Sequence, residues 1–206
     1  MHPKSHILSG PTPLERAGEL SKHLEIDLYI KRDDLAGPSF GGNKSRQLEY
    51  YMGEALAQDA DTSLITGAVQ SNFTRTAVAV ARALGLRAVV QFEDRVKNGS
   101  DHYSKSGNVL LSRLMGAEIE FYPDGEDEAG ADAALDARAD QLRAAGRRPY
   151  TIHLSETYKP LGALGYVDAA TEILGQRDDF DIFVVASGSG ATHAGLLAGL
   201  RGADLQ

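Results

Sequence analysis

Cysteine is absent from the 206 residues, which removes disulfides, thiolate metal sites and a cysteine nucleophile from consideration and is compatible with a reducing compartment. Positive charge is also in short supply: 21 Lys and Arg against 29 Asp and Glu leave a net charge of -8. A nucleic-acid groove or an anionic membrane surface calls for clustered cations, so neither is an expected partner, and a small soluble ligand suits the composition better. No stretch approaches the ~20 apolar residues of a transmembrane helix, and Met1 to His6 lead into no long apolar segment; a cytoplasmic location is expected. Internal repeats and low-complexity tracts are missing as well. What remains is 42% hydrophobic and 24% charged, enough to bury the core of one large or two small domains.

Short β-branched runs alternate with longer helical patterns, the sign of parallel βαβ units. The spacing predicts strands at Asp27 to Lys31, Thr62 to Thr66, Arg87 to Phe92, Ala117 to Tyr122, Tyr150 to Leu154 and Asp181 to Ala186. Helices are predicted at Asn43 to Ala57, Asn72 to Leu84, Lys105 to Met115, Gly130 to Ala145 and Pro160 to Leu174. The second helix is the clearest, with Ser71 as N-cap, Ala77, Val78, Ala81 and Leu84 on one stripe and Gly85 at its end. The acidic patch Asp124, Glu126, Asp127 and Glu128 reads as a solvated, dipole-favoured helix start rather than a metal site.

Three segments carry chemistry. In Gly41-Gly42-Asn43-Lys44-Ser45-Arg46 the glycines permit close backbone approach and Asn43 can cap. Lys44 then sits at a helix N-terminus, where positive partial charge disfavours its protonation, as a lysine that forms an imine requires. In Gly67 to Arg75 the turn Gln70-Ser71-Asn72 joins a strand to the clearest helix. There unpaired N–H groups outside the carboxyl end of a strand can hold a substrate carboxylate. In Ser187-Gly188-Ser189-Gly190-Ala191-Thr192 the glycines free the backbone to wrap a phosphate, and the hydroxyls of Ser189 and Thr192 can donate to it. This loop lacks the Gly-Lys-Ser/Thr ending of a nucleoside-triphosphate site, and His193 stands where the dinucleotide fingerprint needs its third glycine. Taken singly, each segment has a plain reading: a solvated lysine after a turn, a bare helix cap, a tight connection. His153 and His193 fit core or capping roles, and Arg32, Asp33 and Asp34 fit ion pairing at the entry to the lysine loop.

An imine-forming lysine, a carboxylate-holding turn and a phosphate cradle are together what pyridoxal phosphate chemistry on an amino acid requires. The chain resembles the D-cysteine desulfhydrase and 1-aminocyclopropane-1-carboxylate deaminase family, within the tryptophan-synthase-β-like (fold type II) pyridoxal-phosphate enzymes. The resemblance runs through Pro11-Thr12-Pro13-Leu14, Tyr29-Ile30-Lys31-Arg32-Asp33-Asp34, Gly41 to Lys44, Gln70-Ser71-Asn72, Gly107-Asn108-Val109-Leu110-Leu111, Leu161-Gly162-Ala163-Leu164-Gly165-Tyr166 and Ser187 to Leu196. It implies an α/β fold of two open parallel-sheet domains with the cofactor between them: a small domain over 47–157 and a large cofactor domain from 1–46 and 158–206. It assigns Lys44 to the cofactor and to catalysis, Asn72 to the pyridoxal 3-hydroxyl, and Ser71 to the substrate as a catalytic serine. Ser187, Gly188, Ser189, Gly190, Ala191 and Thr192 are assigned to the phosphate, and Gln70, Ser71 and Asn72 to substrate binding.

The reaction implied is β-elimination and deamination of a small sulfur-containing amino acid. A D-cysteine desulfhydrase or L-cysteate sulfo-lyase activity, releasing pyruvate and ammonia, is favoured because the 107–111 and 161–166 motifs look closer to that branch. The alternatives are 1-aminocyclopropane-1-carboxylate deamination, a non-catalytic cofactor-binding fragment, and half of a two-chain enzyme. Phe73 departs from the histidine or glutamine of similar enzymes, and Ser155 to Lys159 lack the glycine-rich turn expected there. Similar enzymes also continue past the phosphate loop, where they hold the pyridine nitrogen. The fold is therefore expected to be C-terminally truncated at Gln206, weakly active or inactive and prone to association alone, and a homodimer when complete.

Overall fold

The computed structural model describes residues 2–96, 99–154 and 157–204. In chain order its elements are β1 (Leu14–Arg16), α1 (Gly18–Leu24), β2 (Tyr29–Lys31), α2 (Asn43–Ala57), β3 (Thr62–Ala68), α3 (Asn72–Ala83) and β4 (Arg87–Glu93). There follow α4 (Asp101–Lys105), α5 (Gly107–Leu114), β5 (Glu118–Tyr122), α6 (Glu128–Ala144), β6 (Pro149–Ile152), α7 (Leu164–Gln176) and α8 (Ala191–Asp204). The chain forms two compact units, one from Met1–Ser5 and Tyr51–Pro160, the other from His6–Tyr50 and Leu161–Gln206.

The first unit is built on a four-stranded parallel sheet in the order β5-β4-β3-β6. β3 and β4 pair over their full length, Thr62 with Arg87 through Ala68 with Glu93. Ala88 to Glu93 are all buried, which is why Ala88, Val89 and Val90 run on without polar alternation: a parallel strand covered on both faces has no solvent side to alternate towards. Leu64, Val89, Leu135 and Ala139 form a core between the sheet and α6, with Leu142 packed on it. The stripe expected on α3 is buried at Ala77, Val78 and Ala81, and Leu84 lies just past the helix end. The helix predicted over 105–115 is α5, which starts two residues later at Gly107 with φ +56°, while Lys105 ends the separate short helix α4. α6 begins two residues earlier than the pattern predicts because Asp127 caps it, accepting from the Gly130 N–H at 2.9 Å. Of the departure at Ser155 to Lys159, Ser155 and Glu156 lie outside the described residues.

In the second unit β1 and β2 form a two-stranded antiparallel ribbon, with Leu14 opposite Lys31. α7 and α8 pack together around Tyr166, Ala169, Ala170, Ile173 and Leu196. The strand expected at Asp181 to Ala186 does not form, and the parallel sheet expected in this unit is absent among the described residues. Its alternation is nonetheless expressed: Phe183 and Val185 pack on the α7–α8 core, while Ile182 and Val184 are 78% and 92% exposed. Period-2 patterning decides which side chains face the core, but a strand also needs a second backbone to receive its N–H and C=O groups. None of the described residues supplies one.

Candidate active site

The lysine loop is built from the backbone outward. A 3-10 turn over Asp33–Leu35 carries the chain to Gly42, whose N–H donates to the Asp33 carbonyl at 2.6 Å. Gly41 holds φ +60°, and a Cβ there would lie 2.2 Å from the Asp34 carbonyl oxygen, so only glycine fits the turn. α2 then starts at Asn43 and puts Lys44 in its first turn. Lys44 is half-buried, and burial pushes its ammonium below the ordinary lysine value; the helix N-terminus acts in the same direction. Its Nζ donates to Gln47 Oε1 at 3.5 Å.

Two residues after the lysine, Arg46 is 3% exposed and anchors α2. Its guanidinium donates to Asp33 Oδ1 and Oδ2 at 2.8 and 2.9 Å, to both oxygens of Glu172 at 2.9 and 3.0 Å, and to Thr12 Oγ1 at 2.9 Å. Thr12 donates in turn to Asp33 Oδ1, Tyr166 OH donates to Asp33 Oδ2 at 2.6 Å, and Lys31 pairs with Glu172. Burial works against the charge on Arg46, and hydrogen bonds to Glu172 and Asp33 more than offset it, holding its pKa above the usual value. Burial likewise opposes ionisation of Glu172, yet the bonds from Arg46 and Lys31 take it down from 4.5 to about 2. Removing Arg46 from such a cluster leaves two largely buried carboxylates without their shared partner, at a cost of about 3–5 kcal/mol. Asp33 thus holds the entry to the loop as the sequence predicts. Arg32 instead pairs at the surface with Asp34 and Glu15.

Thr192 joins the phosphate-loop candidate to the lysine. It is the second residue of α8 and is buried. Its Oγ1 accepts from Asn43 Nδ2 at 2.8 Å and from Gln47 Nε2 at 3.0 Å. Asn43 and Gln47 flank Lys44 on α2, so the lysine and the loop Ser187 to Thr192 belong to one hydrogen-bonded arrangement within the second unit. Ser187, Gly188 and Ser189 are exposed, Gly190 takes φ +84°, and a Cβ at Gly188 or Gly190 would meet nothing within 4 Å. Open space, hydroxyl donors and first-turn N–H groups that have no intrahelical acceptor suit a phosphate group.

The remaining candidates lie in the first unit, after the carboxyl end of β3. Ser71 caps α3 as predicted, its Oγ accepting from the Thr74 N–H at 3.3 Å; Asn72 is exposed. Gln70 is committed to the segment 103–108. Its Nε2 donates to the carbonyls of Tyr103 at 2.5 Å and Ser106 at 3.1 Å, and its Oε1 accepts from the Asn108 N–H at 2.9 Å. Asn108 Nδ2 returns a bond to the Gln70 carbonyl at 2.7 Å. Any side chain at Gly107 would place its Cβ 2.5 Å from Gln70 Oε1, which accounts for the glycine in that motif. Phe73, the departure near the substrate turn, is 4% exposed and packs edge-on against Tyr51 at 6.4 Å: its side chain belongs to the core. His153 is held by Asp132 at 3.3 Å and Asp136 at 3.1 Å and stacks on Tyr158 at 3.9 Å, a structural role as expected, and His193 is exposed.

Sequence reasoning missed Gln47, Thr12 and Glu172. Gln47 carried a signal, standing four residues after Asn43 and hence on the same helix face. Thr12 stood in one of the motifs that carry the resemblance, but its pairing with Glu172, 160 residues away, had no local signal.

A family model described as pyridoxal-phosphate dependent enzyme matches residues 7–205. The 1-aminocyclopropane-1-carboxylate deaminase of Methylobacterium nodulans is 42% identical over 197 residues, covering 92% of this chain and 58% of that protein. The protein of the same name from Mesorhizobium japonicum is 41% identical over the same shares. A solved structure described as an ACC deaminase homologue superposes with a TM-score of 0.82 at 38% identity, covering 97% of this chain and 59% of the other. The chain therefore spans a little under three fifths of the length of these relatives. The type II α/β fold expected from the sequence agrees with this likeness, and so does a donor set suited to a phosphate beside a lysine of lowered basicity. The chain belongs to the pyridoxal-phosphate-dependent enzymes.

Proposed function

We propose that this chain carries the pyridoxal-phosphate site of an enzyme that eliminates and deaminates a small amino acid, of the 1-aminocyclopropane-1-carboxylate deaminase type. The relatives favour this branch, which the sequence analysis placed second, over the cysteine-directed one. The observation that carries the reading is the pair of bonds from Asn43 and Gln47 to Thr192, which ties the lysine to the phosphate loop. Ser187 to Thr192 would hold the phosphate through hydroxyl and backbone donors. Lys44 would hold the aldehyde carbon, and its burial raises the share of neutral amine that such attachment needs. Asn72 would hydrogen-bond the 3-hydroxyl. Ser71, with the first-turn amides of α3, would orient the substrate carboxylate, while Gln70 acts indirectly by fixing the 103–108 segment beside them.

When bound, the cofactor supplies an electron sink. Lys44 would then serve as the base that holds or moves a proton. Against cysteine or cysteate it can take the α-proton as the β-leaving group departs. 1-Aminocyclopropane-1-carboxylate has no α-hydrogen, so its ring opening requires a base or nucleophile acting elsewhere on the ring.

Borohydride reduction of the chain with pyridoxal phosphate, followed by peptide mapping, should place the label on Lys44. A label on another lysine, or unchanged visible absorbance in Lys44→Ala, removes this reading. Ammonia release from 1-aminocyclopropane-1-carboxylate, D-cysteine and L-cysteate decides the branch, and preference for either sulfur substrate restores the cysteine-directed reading.

A further inference from the structure

Thr192 is the one buried hydroxyl of the phosphate-loop candidate; Ser187 and Ser189 are exposed. A hydroxyl has two acceptor lone pairs and one proton. At Thr192 the oxygen receives two amide donors, Asn43 Nδ2 at 2.8 Å and Gln47 Nε2 at 3.0 Å. With both acceptor positions taken, the proton is the only hydrogen-bonding capacity this hydroxyl has left. The Gln47 amide presents its oxygen to Lys44 Nζ at 3.5 Å, which leaves the NH2 group for Thr192.

We propose that Asn43 and Gln47 are positioning residues that fix the polarity of the Thr192 hydroxyl, committing its proton to an anion in the loop. This rests on the phosphate-site reading given above and extends it to two residues outside the loop. The chain of bonds then runs in one direction, from Lys44 to Gln47 to Thr192 to the anion, and Asn43 reinforces its last link. An alcohol whose proton is free to choose between a neighbouring protein acceptor and a ligand is a weaker donor to the ligand than one with no alternative. The arrangement removes the alternative.

The test inverts the polarity without changing the shape. In Gln47→Glu or Asn43→Asp the new carboxylate only accepts, so it draws the Thr192 proton away from the loop; Gln47→Ala and Asn43→Ala delete the donors and leave the proton free. The readout is the ratio of affinities for pyridoxal phosphate and for pyridoxal, which cancels effects on Lys44 itself. The acids should lower that ratio by about tenfold or more, the size of one hydrogen bond to a charged group, and the alanines by less. Because a carboxylate also repels phosphate, each acid is measured again with Thr192→Val, where only the repulsion survives and the loss should shrink. Thr192→Ser, which keeps the hydroxyl, should behave as the parent and covers the case in which the valine variant fails to fold. Equal losses with and without the Thr192 hydroxyl, or alanines as damaging as acids, overturn the inference. If neither aldehyde attaches to Lys44 the cofactor reading fails separately, and the same cycle is then read from inorganic phosphate binding, where its absence overturns the inference as well.

Discussion

Glu172→Gln should destabilise the protein in a manner that disappears with acid. The Glu172 carboxylate accepts from Arg46 at 2.9 and 3.0 Å and from the Thr12 N–H at 2.9 Å, and pairs with Lys31. Burial raises its pKa and these partners lower it, with a net fall from 4.5 to about 2. At about 1.4 kcal/mol for each pH unit between the two values, the ionised group contributes at most about 3 kcal/mol. A carboxylate whose folded pKa is depressed stabilises above its unfolded value and loses that contribution as pH falls through the folded one. The difference between parent and variant should therefore be about 2–3 kcal/mol at pH 7, shrink by about 1.4 kcal/mol per unit below pH 4.5, and vanish near pH 2. Urea unfolding of both proteins at a series of pH values measures it. A difference that stays constant from about pH 7 to pH 3 would falsify the linkage, since it would come from packing rather than charge.

Three further outcomes are expected. Gly107→Ala should cost about 2 kcal/mol, from a left-handed φ of +56° and a Cβ 2.5 Å from Gln70 Oε1. Adding Gln70→Ala should recover only the steric part, and full recovery would show that the backbone was never strained. Ser71→Ala should lose about 1 kcal/mol through the missing cap to Thr74, and a drop in turnover beyond what stability explains would separate substrate handling from capping. The rate at which Lys44 takes up pyridoxal phosphate should rise with pH through a midpoint below the ordinary 10.5 of lysine, because burial disfavours the cation. A midpoint at or above that value would contradict the burial argument.

Local signals carried most of what was legible. α2 begins and ends where its pattern predicts, Asn43–Ala57, and Ser71 caps α3, because capping and periodicity are decided within a few residues. The four strands of the first unit were readable for the same reason, although β3 runs two residues beyond the predicted Thr66. The extended run 181–186 misled because alternation reports burial and says nothing of a pairing partner. In the site, Lys44 and Thr192 were legible as motifs, but their linkage through Asn43 and Gln47 was not, and neither was the cluster around Arg46. The Thr192 contacts span 145 and 149 residues, those of Glu172 with Arg46 and Thr12 span 126 and 160, and all depend on the completed packing. The motifs at 107–111 and 161–166, on which the preference between substrate branches rested, serve architecture: Gly107 clears the Gln70 amide, and Tyr166 bonds Asp33.

The second unit is discontinuous, with all of 51–160 inserted between its two segments, and this orders events during synthesis. Arg46, Asp33 and Thr12 leave the ribosome early, while Glu172, Tyr166 and Thr192 follow only after the whole insertion has been made. Until then a guanidinium destined to be almost wholly buried has one of its two carboxylate partners missing, and the lysine helix has nothing at its far end to grip. The inserted unit has its own sheet and core and can condense first, since domains fold as units in the order they are made. Lys44 is thereby kept from its folded setting until Thr192 has been made, and a slow folding phase tied to closure of the long loop is the expected kinetic mark.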